Sequence, residues 1–144
     1  MLVSQILKSK PEGGVITISG DATVAEAVAL LSSKRIGAVM VSSDGKHALG
    51  ILSERDIVRE LGRRGPGCLA DKVDTIMTSK IISCTRNDRT HQVMQMMTDG
   101  RFRHMPVIEG GEMVGLISIG DVVKARLEEL AAEKDALEGM IKGF

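Results

Sequence analysis

The chain has 144 residues, 43% of them hydrophobic and 26% charged, with 19 basic side chains balanced by 19 acidic ones. That is an ordinary globular composition, long enough for one domain or for two small halves sharing a core, and its zero net charge gives no general pull toward nucleic acid or anionic lipid. Phe102 and Phe144 are the only aromatic residues, so bases find no ring platform to stack on; no apolar run reaches the roughly 18 residues of a membrane span, and MLVSQILKSK lacks a signal peptide's apolar core and cleavage site, so a cytoplasmic protein is expected.

In chain order, the first element is a β-rich run, VITI at 15–18, followed by Asp21-Ala22-Thr23, whose side-chain oxygens can accept from the orphan amides of a helix start. Val24, Ala27, Val28, Leu30 and Leu31 then recur at helical spacing. An apolar run from Ile36 to Val41, a turn at Asp44-Gly45 and a second run from Leu49 to Leu52 predict a hairpin, after which a helix starts at Ser53. Gly62, Gly65, Pro66 and Gly67 punctuate a linker with a short helical segment.

The same order then returns. IISC at 81–84 leads to Asp88-Arg89-Thr90, a helix bearing Val93, Met94, Met96 and Met97, a run from Met105 to Ile108, a turn at Gly110-Gly111, a run from Val114 to Ile117 and a helix from Ser118. The offset is 67 residues at Asp21 and Asp88, is carried through Ile36–Val41 against Arg103–Ile108, and falls to 65 by Gly50 and Gly115, as a turn two residues shorter would require. In the last helix Val123, Leu127, Leu130, Leu137 and Ile141 fall at steps of three and four, with Lys134 interrupting; a helix docked on its own domain and a short dimer-forming stripe both fit. The predicted class is α/β (α+β), two tandem pseudo-symmetric units, each a small sheet with helices on one face. Their bounds are 1–61 and 81–127, with a linker at 62–80 and a C-terminal helical extension at 128–144. Units of about 50 residues hold too little core to stand alone comfortably, so the two are expected to pack on each other.

Within this frame one phrase is said twice: GILSERD at 50–56 and GLISIGD at 115–121, each Gly, two aliphatic residues, Ser, two variable residues, Asp. One reading is a capping box, Ser and Asp satisfying amides of the first helical turn. The other uses the same geometry as a nucleoside-phosphate cradle: helix-terminal amides and the Ser hydroxyl take a phosphate, and the first-turn carboxylate accepts from two vicinal ribose hydroxyls.

Together with Asp-x-Thr, with Met77-Thr78 and with Arg103-His104-Met105-Pro106-Val107 entering a strand, the phrases resemble a tandem pair of cystathionine-β-synthase-type domains, or CBS domains, paired as a Bateman module over about residues 15–127. The resemblance implies binding of adenosine-containing ligands, AMP foremost and ADP, ATP, NAD(H) or S-adenosylmethionine besides, in two clefts between the paired units. Asp56 and Asp121 would hold the ribose hydroxyls, with Ser53 and Ser118 beside the phosphates. The Asp56 cleft would draw on Thr78, Ile82 and Ser83 around the adenine, on Arg103 and His104 at its phosphate end, and on Met105 and Pro106 of the same strand. The Asp121 cleft would draw on Ile16, Thr17, Ile36, Gly37 and Ala38. Arg55 adds a cation to the first cleft, whereas Ile119 and Gly120 add none to the second, so a mononucleotide phosphate is expected to favour the Asp56 cleft.

The remaining reactive residues carry no pattern. His47 sits on a turn and His91 in a first helical turn, Cys68 and Cys84 read as reduced structural thiols, and no metal is expected. The nine methionines read as core filler. No nucleophile and base stand together and no phosphate-binding glycine loop is present, so no enzyme is expected. The expected function is a regulatory adenine-nucleotide sensor that changes conformation and signals to an unidentified partner protein, most simply as a homodimer. The alternative is a constitutive protein-interaction scaffold with degenerate clefts.

Overall fold

The computed structural model describes residues 1–10 and 14–142; Gly143 and Phe144, which end the predicted extension, lie outside the described residues, as do 11–13 of the predicted first unit. The elements are α1 (Val3–Ser9), β1 (Thr17–Ile18), α2 (Val24–Lys34), β2 (Ala38–Val41), β3 (Gly50–Ser53), α3 (Glu54–Arg64), α4 (Thr90–Gly100), β4 (His104–Glu109), β5 (Glu112–Ser118) and α5 (Ile119–Ile141), with 3-10 turns at Pro66–Ala70 and Val73–Thr75. Small sheets mixed with helices, and a long last helix, are as the sequence predicts. The described residues group into two compact units, 14–82 with 108–114, and 1–10 with 83–107 and 115–142.

In the first of these, β2 lies between β1, to which it runs parallel, and β3, to which it runs antiparallel with Ala38 opposite Ser53 and Val41 opposite Gly50. A central strand meets neighbours on both edges and side chains on both faces, so its AVMV is unbroken apolar sequence and every residue of it is buried. The apolar stripe of α2 sets Val24, Ala27 and Leu31 against Val39, Val41 and Leu52, with Ile57 of α3 and Val73 completing the core. Thr23 caps α2 by accepting from the Glu26 amide (3.1 Å). The predicted linker is more than a tether: Cys68 and Val73 are buried, and the Val73 amide donates to the Ala22 carbonyl (2.8 Å) while the Val24 amide donates to that of Asp71 (2.9 Å).

β4 and β5 form a hairpin, turned by Gly110 and Gly111 at φ 58° and 79°, left-handed values that a two-residue hairpin turn demands and glycine supplies without strain; its residues 108–114 group with the first unit and the rest with the other. Val93 and Met97 of α4, Met105 and Val107 of β4, Ile117 of β5, and Val122 and Ala125 of α5 are buried, as are Val3 and Ile6 of α1. The N-terminal helix, expected within the first unit at 1–61, therefore stands with the second repeat. Its backbone explains why: the Val3 amide donates to Asp88 (2.9 Å), Ser4 to Arg86 (3.0 Å), and Thr90 to Met1 (3.0 Å).

Three further expectations are corrected. IISC at 81–84 forms no strand, and only Cys84 bridges Val107, in parallel, as Ile18 pairs with Val41. Thr90 is no cap either: Arg89 holds the N-cap position, while Thr90 is the buried first residue of α4 and its hydroxyl bonds the Glu129 carboxylate. The repeat thus runs at 66 residues, not 67, through this region, shown by α2 against α4 and by left-handed Arg35 against Arg101 at their ends. On that register the counterparts of Arg103 and His104 are Gly37 and Ala38.

Candidate functional site

Each repeated phrase is a strand end running into a helix. In both, Ser is the N-cap and Asp the third residue of the helix, and the capping box is complete. At the first, the Asp56 amide donates to Ser53 Oγ (3.3 Å), and Asp56 Oδ2 accepts from the Ser53 amide (2.9 Å) and hydroxyl (3.1 Å). At the second, the Asp121 amide donates to Ser118 Oγ (3.1 Å) and Asp121 Oδ2 accepts from the Ser118 amide (2.9 Å). Capping therefore consumes one carboxylate oxygen in each cradle and leaves the other to be accounted for.

The two cradles differ in what takes that second role. Asp56 is 6% exposed, and its Oδ1 accepts from Arg59 Nη2 (2.7 Å) one turn along α3 and from Thr78 Oγ1 (3.5 Å). Asp121 keeps Oδ1 unpartnered among the described residues, while its capping oxygen also accepts from Lys10 Nζ (2.7 Å), which donates in addition to the Leu116 carbonyl (2.9 Å). Partial burial pushes the Asp121 carboxyl up, but the Lys10 ammonium and the Ser118 amide and hydroxyl outweigh it and hold the pKa below the ordinary 3.8. A cavity of about 260 Å³ lies here, with Gln5, Ser9, Lys10, Lys124 and Glu128 around Asp121.

Lys10 and Arg59 are the cations that sequence reasoning missed. A signal for Lys10 existed: VSQILKSK at 3–10 reappears as VDTIMTSK at 73–80, matching at Val, Ile, Ser and Lys. The two segments serve corresponding positions. A Cβ on Gly50 would meet Met77 Sδ at 2.5 Å and the Thr78 carbonyl at 2.9 Å, and a Cβ on Gly115 would meet Leu7 Cδ2 at 2.5 Å. The opening glycine of each phrase is thus the space into which Met77, or its counterpart Leu7, fits.

Of the other candidate residues, Arg55, Thr78 and Ile82 are exposed in the unit of Asp56, where Ile16 and Thr17 are half-buried around β1. Ile36 and Gly37 line a cavity of about 460 Å³ between α2 and α3. The Gly37 carbonyl accepts from the Glu54 amide (2.9 Å), as Arg103 does from that of Ile119 (2.8 Å). Ser83 and Arg103 are exposed and His104 half-buried in the unit of Asp121. Ala38, Met105 and Pro106 are buried, and the Pro106 carbonyl accepts from the Cys84 amide (3.0 Å). Among the described residues no group of three or more His, Cys, Asp or Glu stands where it could hold a metal ion, and no helix is long and apolar enough to cross a membrane. Burial, with a smaller contribution from Asp88, pushes the Cys84 thiol up to about 12, so it stays protonated.

A family model described as the CBS domain matches residues 3–63 and 73–128. The CBS domain-containing protein CBSX3, mitochondrial, of Arabidopsis thaliana is 36% identical over 148 residues, which cover 98% of this chain and 72% of that protein. The crystal structure of the CBS-domain containing protein ATU1752 from Agrobacterium tumefaciens matches with a TM-score of 0.83 at 42% identity, covering 88% of this chain and 99% of that one. The CBS domain pair of protein MJ0100, solved in complex with 5′-methylthioadenosine and S-adenosyl-L-methionine, matches with a TM-score of 0.77 over 90% of this chain and 98% of its own. At 22% identity the last is a likeness of fold.

Proposed function

Because the chain belongs to the CBS domain family and carries two such domains in tandem, we propose that it is a regulatory module whose two Ser-x-x-Asp cradles bind an adenosine-containing ligand. AMP is the first candidate, and ADP, ATP, NAD(H) and S-adenosylmethionine are the others. The observation that carries this reading is the doubled cradle, in which helix-terminal amides, a Ser hydroxyl and a first-turn carboxylate converge at a strand end. Amides and hydroxyl donate to phosphate, and the carboxylate accepts from ribose hydroxyls. The adenosine compounds bound by MJ0100 support the choice of ligand class.

Binding regulates only when the ligand distinguishes two conformations of its host. We therefore propose that the ligand shifts such an equilibrium, that a partner protein reads the result, and that the module works as a cytoplasmic homodimer without catalysing a reaction. The competing reading, an interaction scaffold with degenerate cradles, draws support from the exposed Leu127, Leu130 and Leu137 of α5.

A thermal-shift panel of AMP, ADP, ATP, NAD+, NADH and S-adenosylmethionine separates the two. A ligand at 100 times its Kd stabilises the folded state by about 2.7 kcal/mol, which for a chain of this size raises Tm by roughly 5–10 °C. If none of the six shifts Tm and none is retained in equilibrium dialysis, the sensor reading fails and the scaffold stands.

A further inference from the structure

Most of the C-terminal half of α5 has none of the described residues to rest on. Val122 and Ala125 bury the start of the helix, and Glu129 is the last residue tied down, through Thr90, Arg126 and the Met1 amine. Residues 131–138 are exposed without exception. A lone helix of about a dozen residues is marginal in water, and this one also presents Leu127, Leu130, Leu137 and Ile141 to solvent, at 48–84% exposure.

The stripe has coiled-coil spacing. Val123, Leu127, Leu130, Lys134, Leu137 and Ile141 follow at steps of four, three, four, three and four, a mean of about 3.5 that keeps one seam facing a partner helix. Leu127, Lys134 and Ile141 form one set of core positions, and Val123, Leu130 and Leu137 the other. The flanking residues on one side are Lys124, Ala131 and Glu138, and on the other Arg126, Glu133 and Met140.

Charge decides the orientation. In a parallel pair Lys134 meets Lys134 in a single layer, and Glu133 of each copy faces Glu138 of the other, so like charges meet at three places. In the antiparallel register that uses all six core positions, Leu127 packs on Leu137, Leu130 on the Lys134 stem and Val123 on Ile141. Lys124 of each copy then faces Glu138 of the other, Ala131 meets Ala131 across the two-fold axis, and the one Glu133–Glu133 contact is flanked by both Lys134 ammonium groups. We propose that α5 is an interaction surface for a second copy of this chain, the two tails pairing antiparallel about Ala131 and Glu133. The pairing is independent of what the cradles bind.

Cysteine scanning tests it on the full chain. Cys68 and Cys84 are buried, so the wild type serves as a silent control. Under diamide, Ala131→Cys is expected to give a covalent dimer on a non-reducing gel and Leu137→Cys none, since residue 137 faces its own copy only in a parallel pair. The reverse pattern, or no cross-link from either variant, overturns the proposal. In sedimentation equilibrium Lys124→Glu is expected to weaken dimerisation about tenfold, with Glu138→Lys in the same chain restoring it. Failure of the second change to restore what the first removes also overturns it.

Discussion

Replacing Lys10 by Met keeps the stem and removes the ammonium that joins α1 to the Asp121 cradle. The Asp121 carboxylate and the Leu116 carbonyl each lose one donor. Hydrogen bonds to charged groups contribute about 1.5–3 kcal/mol when buried and exposed ion pairs 0.2–1 kcal/mol. The Lys10 and Asp121 side chains are 36% and 27% exposed, so water replaces part of the loss and the expected cost is about 1 kcal/mol, or roughly 4 °C in Tm. Acid reveals the cause. The folded-state pKa of Asp121 is depressed below 3.8, so its contribution is present above the ordinary carboxylate value and is lost as pH falls through the lower folded one. Urea unfolding of wild type and Lys10→Met should differ by the same amount at pH 7 and pH 5, then converge as the pH drops below about 4. A gap that survives full protonation would assign the worth of Lys10 to its bond with the Leu116 carbonyl rather than to the Asp121 ion pair, and refute the electrostatic account.

Three other outcomes are expected. Gly50→Ala drives a methyl against the Met77 sulfur and the Thr78 carbonyl and should cost about 1–3 kcal/mol in chemical denaturation. Gly115→Ala meets only the movable end of Leu7 and should cost less, so equal losses would contradict the close-approach explanation. Asp56→Asn keeps an oxygen for the Ser53 cap yet loses the anion and the Oδ1 that accepts from Arg59 and Thr78; calorimetry should show AMP affinity at that cradle reduced at least tenfold, with Tm lowered by about 2–4 °C for the lost ion pair. Cys84, buried with its thiol pushed up to about 12, should resist iodoacetamide at pH 8 until the protein is unfolded; rapid alkylation of the native chain, read by mass spectrometry, would show the site to be open.

Much of the site was legible because it is local. Ser53 with Asp56, and Ser118 with Asp121, lie three residues apart, and a capping box needs no distant partner. Arg59 was within reach on the same grounds, one turn beyond Asp56, but an arginine on an exposed helix face carries no mark of its own. Lys10 meets Asp121 across 111 residues of chain, and only the likeness of VSQILKSK to VDTIMTSK announced it. The 67-residue register was misled by identity: Asp-x-Thr occurs in both copies, yet Thr23 caps its helix whereas Thr90 is drawn inside by Glu129. IISC has the composition of a strand, but burial and pairing reach only Cys84.

The placement of α1 has a consequence for how the molecule comes into being. The first ten residues leave the ribosome before everything they bind, and their partners at Arg86, Asp88, Leu116, Asp121 and Glu129 follow roughly a hundred residues behind. Residues 14–82 can form their sheet as they emerge, while residues 1–10 wait for residues 86–129, a closure that is slow because so long a loop must be drawn in before any contact rewards it. A tag fused ahead of residue 1 would accordingly act on the part of the molecule assembled last.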